Sequence, residues 1–154
     1  MEAERKAVIA RAWEAFAGFA RPARLFAHAD FEEGGLEEML AKTRREDLSA
    51  EQLGTAAWGP LPLFSPEALA HFAPRIIELA LSGAIDPEGE PLYLLLVSSF
   101  RQGPEGPRFR LFGPAQQKAV AEAFAFLCRS FAAQLAEEGY LDWAEAGARA
   151  WGGE

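Results

Sequence analysis

A row of apolar residues in the last third of the chain constrains the fold more than any other feature. The row consists of Val120, Phe124, Leu127, Phe131 and Leu135. Because an α-helix repeats every 3.6 residues, intervals of three and four residues place these side chains on one face of a helix. Pro114 and Gln116 precede the row and have the spacing of a helix start. We therefore predict one long helix that organises the core.

Shorter helices are predicted in the first third of the chain. Apolar residues at helical spacing indicate a helix over about residues 3–19 and a short one over 36–45. Ser49 and Gln52 have the spacing of a capping box, in which each side chain accepts a hydrogen bond from the other residue's backbone amide. A further short helix should begin there.

The middle of the chain combines a clear helix start with less decisive segments. Ser65 and Pro66 supply a capping hydroxyl and a proline for the first helical position. Pro74 lies inside the same helix and should kink or break it, because proline removes a backbone donor. The segment 58–64 is predicted to be an extended apolar strap, because its prolines disfavour a helix. Residues 92–97 are apolar on every side, so helix and strand both remain open, and we favour helix.

The remaining segments complete a mainly helical chain. Residues 108–112 alternate in polarity and suggest a short extended piece, and Asp142 with Glu145 suggests a capping box for a final helix. Half of the residues are hydrophobic, which suits one globular domain over residues 1–154. We predict an all-α or mainly α fold: a compact single-domain bundle of about five to seven helices, with a kinked Pro-containing helix and little or no sheet.

An excess of acidic residues limits the expected partners. The net charge of −8 produces a field that repels phosphate backbones and anionic lipid surfaces. The basic run at residues 42–45 is flanked by acids and is interpreted as a mixed solvated surface. No segment reaches the ~20 apolar residues that a membrane span requires. We therefore expect neither a nucleic-acid nor a membrane partner.

Cysteine content and amino-acid bias indicate the setting in which the chain works. Cys128 is the single cysteine, which excludes an intramolecular disulfide, and we see no export signal, so a cytoplasmic location is predicted. The chain has no asparagine and much more arginine than lysine. This bias suits a thermophilic bacterium that avoids deamidation, and a GC-rich genome produces the same bias.

Two pairs of residues are candidates for chemistry. His28 and Asp30 could place an imidazole beside a carboxylate and are the best metal or acid–base candidates, although a loop histidine beside acids is more often a solvated residue. His71 and Arg75 could form an anion site. They also lie one turn apart on the polar side of a predicted helix, where charge pairing alone explains them. Neither pair has the spacing of an established catalytic motif.

The chain lacks established catalytic motifs but contains aromatic residues that could contact a partner. The chain has no GxSxG elbow and no glycine-rich phosphate loop, so we expect no cofactor and favour a protein that is not an enzyme. Aromatic anchors supply affinity at interfaces, and Trp58, Phe126 and Trp151 are the candidate partner-facing residues. For Phe126 the alternative is that a second helix packs closely against its side of the long helix.

Three segments together resemble a bacterial family of small domains to which no activity is assigned. They are Ala15–Phe19 with Arg21 and Pro22, Phe64–Pro66 with Phe72–Arg75, and Phe112–Gln117 with Val120, Phe126 and Leu127. A tryptophan near the carboxyl end is a further match. The residues before Pro74 depart from the family's pattern, which has an aromatic residue there. The resemblance implies a compact helical domain and transfers no catalytic residue.

Two functional hypotheses follow. The first is a non-enzymatic cytoplasmic protein-interaction module that binds a protein partner or forms a homo-oligomer. The alternative is a small-molecule- or metal-binding domain, including the case of a hydrolase, that uses His28, Asp30, His71 and Arg75. The first requires an exposed recognition surface, and the second requires those polar groups to converge in one pocket.

Overall fold

Helices account for nearly all of the regular structure. The computed structural model describes residues 2–27, 36–55 and 59–153. In these ranges it contains eight α-helices and no β-strand: α1 Glu2–Ala15, α2 Leu36–Ala41, α3 Ala50–Leu53, α4 Pro66–Leu81, α5 Tyr93–Phe100, α6 Pro114–Ser130, α7 Ala132–Glu138 and α8 Leu141–Gly152. Single turns of 3₁₀ helix lie at Arg45–Asp47, Leu61–Leu63 and Pro107–Phe109. The predicted mainly helical fold is confirmed, with more helices than expected.

The helix α6 occupies the centre of the packing. It contacts α8 most extensively and also packs against α1, α4 and α7, while α4 packs against α1 and α5. Val120, Phe124 and Leu127 are fully buried on its inner face. The buried side chains of the described residues form one hydrophobic cluster. The apolar row therefore organises the core, as its spacing predicts.

Helix starts follow the sequence signals closely. Ser49 Oγ accepts from the amide of Gln52, and Gln52 Oε1 accepts from the amide of Ser49, which completes the predicted capping box. Ser65 Oγ accepts from the amide of Ala68 at the start of α4. Gln116 reaches back to accept from the Gly113 amide at 2.8 Å. These predictions need only local spacing, and they are confirmed.

Pro74 does not break its helix. The helix α4 runs without interruption from Pro66 to Leu81, and Pro74 is buried inside it. A bend of 84° lies instead between α6 and α7. There the Phe131 ring lies 5.2 Å from the Tyr93 ring and 6.4 Å from the Phe126 ring, measured between centroids. The predicted apolar row therefore continues across a bend rather than along one straight helix.

Two segments that we expected to be extended form tight turns. The Leu61–Leu63 part of the predicted strap is a 3₁₀ turn, and residue 58 lies outside the described residues. Pro107–Phe109 is also a 3₁₀ turn. Pro62 is the second residue of the first turn, and Pro107 is the first residue of the second turn. The fixed φ of proline suits a 3₁₀ turn. Alternation over a few residues was too short a signal to exclude a turn.

The final helix begins earlier than the sequence suggests. Tyr140 is its cap residue and makes no side-chain capping bond, and Asp142 lies inside the first turn of α8. The predicted capping box at Asp142 and Glu145 is therefore wrong. The Gly139 backbone has a left-handed φ of 84° that ends α7, and α8 follows almost directly.

The helices are short or carry charged residues. Among residues 2–27, 36–55 and 59–153, no single helix is long and apolar enough to cross a membrane. The bent pair α6 and α7 meets the criteria of length and composition only when its two parts are combined.

Candidate functional site

The structure describes only part of the predicted site. His28, Asp30 and Trp58 lie outside the described residues. In the ranges that the structure does describe, histidine, cysteine and acidic side chains form no group of three or more that could hold a metal ion. The other predicted site residues lie within the described ranges.

His71 is buried rather than solvated. The residue is 7% exposed, and its Nδ1 donates to the backbone carbonyl of Phe19 at 2.8 Å. Its Nε2 is also buried and has no hydrogen-bond partner within the described part of the chain. The expectation that His71 lies on a polar helix face is wrong, because residues that follow α1 pack over that side of α4.

Burial and two nearby cations favour the neutral form of the His71 ring. Burial is the main effect that lowers its pKa below the usual value of 6.5, and the nearby guanidinium groups of Arg45 and Arg21 lower it further. The hydrogen bond to Phe19 and the carboxylate of Glu46 act in the opposite direction. Since a carbonyl can only accept, the proton of the neutral ring is on Nδ1.

Arg75 is committed to different partners from those of His71. Its Nε donates to the carbonyl of Leu48 at 2.8 Å, and a terminal nitrogen donates to Glu78 at 3.0 Å. Glu78 also accepts from the indole of Trp13. The two predicted anion-site residues therefore support separate parts of the fold through separate hydrogen bonds.

Arg45 has a structural role that the charged residues around it in the sequence do not indicate. Its guanidinium donates to the carbonyls of Phe16, Ala17, Phe19 and His71 at 3.1–3.4 Å. Helix ends leave carbonyls without intrahelical partners, and a cation is favourable there because of the helix dipole. Arg45 thus holds the chain that follows α1 against α4. The interpretation of residues 42–45 as a solvated surface is wrong for this residue.

The two described interface candidates are covered by the chain itself. Phe126 is 0% exposed, and the guanidinium of Arg5 from α1 lies 5.7 Å from its ring centroid. The alternative of close helix packing at Phe126 is therefore confirmed. Trp151 is 4% exposed, and its indole donates to the carbonyl of Phe100. This burial corrects the expectation that these two side chains face a partner.

A cleft of about 330 Å³ forms where three distant parts of the chain meet. The described residues that line it are Ala27, Pro62, Leu63, Phe64, Pro66, Pro107, Arg108 and Arg110. A bridge between Phe26 and Phe64 and the hydrogen bond from the Ala27 amide to the Leu63 carbonyl hold two of these parts together. The walls are mostly apolar, and the charged groups among the described lining residues are two guanidinium groups.

Arg108 is a cation whose described partners are a carbonyl and an aromatic ring, since its guanidinium lies 5.7 Å from the centroid of the Phe109 ring. It is half-buried, and one of its terminal nitrogens donates to the carbonyl of Leu61 at 2.8 Å. Its Nε is buried and has no hydrogen-bond partner in the described residues, among which no carboxylate pairs with it. Burial lowers the pKa of Arg108. The side chain still carries its charge, because guanidinium groups do not lose their proton in proteins.

Arg110 stands at the same cleft in a more exposed position. It pairs with Glu67 at 3.0 Å, and both side chains are about half exposed. Glu67 lies in the first turn of α4, and Pro66, at the start of that helix, lines the cleft. The amino-terminal end of a helix carries partial positive charge. Because Glu67 compensates Arg110, Arg108 is the cation of the described lining that has no carboxylate partner among the described residues.

Two grooves also follow the exposed side of α6. One, of about 570 Å³, lies against α8, and the other, of about 340 Å³, lies against α1. Glu122 lines both grooves and pairs with Arg11 at 2.8 Å. Their floors contain alanine at positions 119, 121, 125 and 148. The ion pair leaves Glu122 compensated, so the cleft at Arg108 is the stronger candidate site.

Comparisons with known proteins add no relative to this description. No protein-family model matches the chain, no curated protein matches it, and no solved structure matches it. The resemblance to a bacterial family of small helical domains therefore stays a prediction.

Proposed function

We propose that this chain is a non-enzymatic interaction module that recognises an acidic group of its partner in the cleft at Arg108. The observation that carries the proposal is the half-buried Arg108 guanidinium, which lines an open cleft and pairs with no carboxylate of the described residues. In most proteins such a buried charge is paired. Here a bound anion would supply the missing partner.

The energetics favour an occupant of opposite charge. Arg108 loses hydration where it is buried, and one bond to a carbonyl replaces only part of that hydration. A charge-assisted hydrogen bond to an anion is about twice as strong as a bond between neutral groups. An anion that binds would therefore pair with a charge that the folded chain already buries. This pairing would make the binding free energy more favourable.

The chemistry of the lining supports binding rather than catalysis. Of the described residues that line the cleft, the charged ones are Arg108 and Arg110, and both carry guanidinium groups. General acid–base catalysis requires a group whose pKa lies near the working pH. Guanidinium groups position and neutralise anions, which is the task of a recognition site.

The same proposal places the module in the cytoplasm. Cys128 is a free thiol, half-buried beside α8, and burial raises its pKa above the usual value. A thiol that stays protonated reacts slowly, because the thiolate is the reactive form. A single unreactive cysteine suits a reducing compartment.

Substitution of Arg108 tests this function directly. We expect Arg108→Met to remove anion-induced chemical-shift changes in the amides of residues 63–65, titrated with phenylacetate and benzylphosphonate. Arg129→Met is the matched control, because Arg129 is an exposed arginine that pairs with Glu4 on α1. Anion binding that is equal in the wild type and in Arg108→Met would contradict the proposal.

A further inference from the structure

We infer that the group recognised in this cleft is a single carboxylate attached to an apolar moiety, and not a phosphate. The inference rests on the proposed function and specifies its ligand. It is drawn from the hydrogen-bond donors that the cleft offers and from the apolar surface beside them.

The free donors of Arg108 match one carboxylate. Its Nε is buried, and one hydrogen of a terminal nitrogen is directed to the Leu61 carbonyl. The hydrogens that remain available are on the two terminal nitrogens of the guanidinium group. These two nitrogens can donate two parallel hydrogen bonds to the two oxygens of a carboxylate. Arg108 can therefore offer at most one bidentate position to an anion.

The backbone around the cleft adds few donors. Pro62, Pro66 and Pro107 have no N–H group. The amides of Ala27 and Phe64 already donate to the carbonyls of residues 63 and 60. A phosphate presents three strong acceptor oxygens and up to two charges, so it needs more donors than a carboxylate. The carboxylate of Glu67 beside Arg110 further disfavours a dianion.

The walls indicate what the carboxylate is attached to. Five of the described lining residues present proline rings or large apolar side chains: Pro62, Leu63, Phe64, Pro66 and Pro107. Among the described residues, Leu63 is half-buried and Pro62 is exposed, so part of this surface is open to a ligand. An aromatic or branched aliphatic group would gain affinity there by burying apolar area. A volume of about 330 Å³ accommodates one such group.

Two sources present this chemistry. A free apolar acid carries one carboxylate beside its apolar group, and so does the carboxyl terminus of a protein that ends in an apolar residue. The same cleft chemistry recognises both, and matched probes separate them. N-acetylphenylalanine represents a chain terminus, and phenylacetate represents a free acid.

Calorimetric titration of the full chain tests the inference with matched probes. We expect phenylacetate to bind at least about tenfold more tightly than acetate, because its ring covers the apolar wall. We expect the neutral phenylacetamide to lose binding, because it leaves Arg108 unpaired. Arg108→Gln should abolish binding of phenylacetate, and Arg129→Gln should leave it unchanged.

The outcomes separate the ligand class from the function. Tighter binding of benzylphosphonate than of phenylacetate overturns the carboxylate inference while it leaves an anion-recognising module in place. Binding of acetate as tight as that of phenylacetate overturns the apolar part of the inference. If no probe binds at millimolar concentration, both the inference and the proposed function fail. N-acetylphenylalanine that binds more tightly than phenylacetate, with loss of binding in its amide, supports the inference and assigns the ligand to a chain terminus.

Discussion

Gly147 of α8 lies directly against the ring of Phe124 of α6. A Cβ atom added at position 147 would be 2.4 Å from the nearest ring carbon, which is closer than any real contact. The two helices make the most extensive helix–helix contact of the described chain. The absence of a side chain at this one position therefore sets how closely the last helix approaches the centre of the core.

Substitution of Gly147 should cost stability in spite of alanine's better helix propensity. We expect Gly147→Ala to lower the free energy of unfolding by about 1–3 kcal/mol, because the fully buried Phe124 ring has to move. Gly152→Ala is the control in the same helix, since a Cβ there meets nothing within 4 Å. Urea unfolding of the two variants checks the prediction. Equal stability of both would show that the crossing adjusts freely.

Arg45 should contribute far more to stability than the arginine beside it. We expect Arg45→Ala to destabilise the chain by about 2–3 kcal/mol, since it leaves several partly buried carbonyls after α1 without a donor. Arg44→Ala removes an exposed pair with Asp47 and should change stability by less than about 0.5 kcal/mol. Thermal unfolding of both variants measures the difference. Comparable losses would argue against a capping role for Arg45.

His71 should make the fold sensitive to mild acid. Its pKa is lower in the folded chain than the unfolded value of 6.5, so below pH 6.5 the unfolded chain takes up a proton that the folded chain does not. Stability should therefore be unaffected above that pH and should fall as the pH decreases through the folded pKa.

The variant His71→Asn isolates this effect. An asparagine amide can donate to the Phe19 carbonyl from nearly the position of Nδ1, but it does not titrate. We expect the loss of stability between about pH 7.5 and about pH 5 to be smaller in this variant than in the wild type. A pH dependence that is identical in both proteins would exclude His71 as its source.

Glu37 should act in a more acidic range. Hydrogen bonds from Arg24, and also from the amides of Phe26 and Leu25, lower its pKa to about 2 from 4.5 in spite of desolvation. Its contribution to stability is fully present above pH 4.5 and is lost as the pH falls toward 2. We expect Glu37→Gln to be less stable than the wild type at neutral pH, with the difference shrinking in acid.

Glu38→Gln is the control for this second pH effect, because Glu38 lies in the same helix with an exposed side chain. Its unfolding curves should follow those of the wild type at every pH. Far-UV circular dichroism against urea at several pH values is sufficient for both variants. A constant difference between Glu37→Gln and the wild type down to pH 2 would contradict the lowered pKa.

Arg108 should behave as a functional rather than a structural residue. Because it is a half-buried charge with no carboxylate partner among the described residues, Arg108→Met should melt at the same temperature as the wild type or higher. Arg45→Met, which removes a cation bonded to several carbonyls, should melt lower. Scanning calorimetry without added anion makes the comparison. A large loss of stability in Arg108→Met would indicate a structural role instead.

The predictions from sequence succeeded where neighbouring residues decide the outcome. The helix starts at Ser49, Ser65 and Pro114 each depend on a side-chain oxygen that accepts a hydrogen bond from a backbone amide three residues away. They failed where the same spacing has another meaning. Asp142 has the spacing of a cap but lies inside the first turn of α8, whose cap residue is Tyr140.

The candidate site shows the same division. Nothing around Arg108 in the chain distinguishes it from a surface arginine, and the alternation of residues 108–112 suggested only a short extended piece. The cleft exists because residues 62–66, which are far from it in sequence, pack beside it. His71 was misplaced for a related reason, since helical periodicity does not report that the chain after α1 covers that side of α4.

The amino-acid sequence by itself determined that this chain is mainly helical and where most helices begin, because periodicity and capping act over a few residues. Only the tertiary structure decided which polar side chains are buried, that the long apolar row bends at Phe131, and that Arg108 faces an open cleft. Burial and charge compensation depend on segments that are distant in sequence, so no local pattern encodes them.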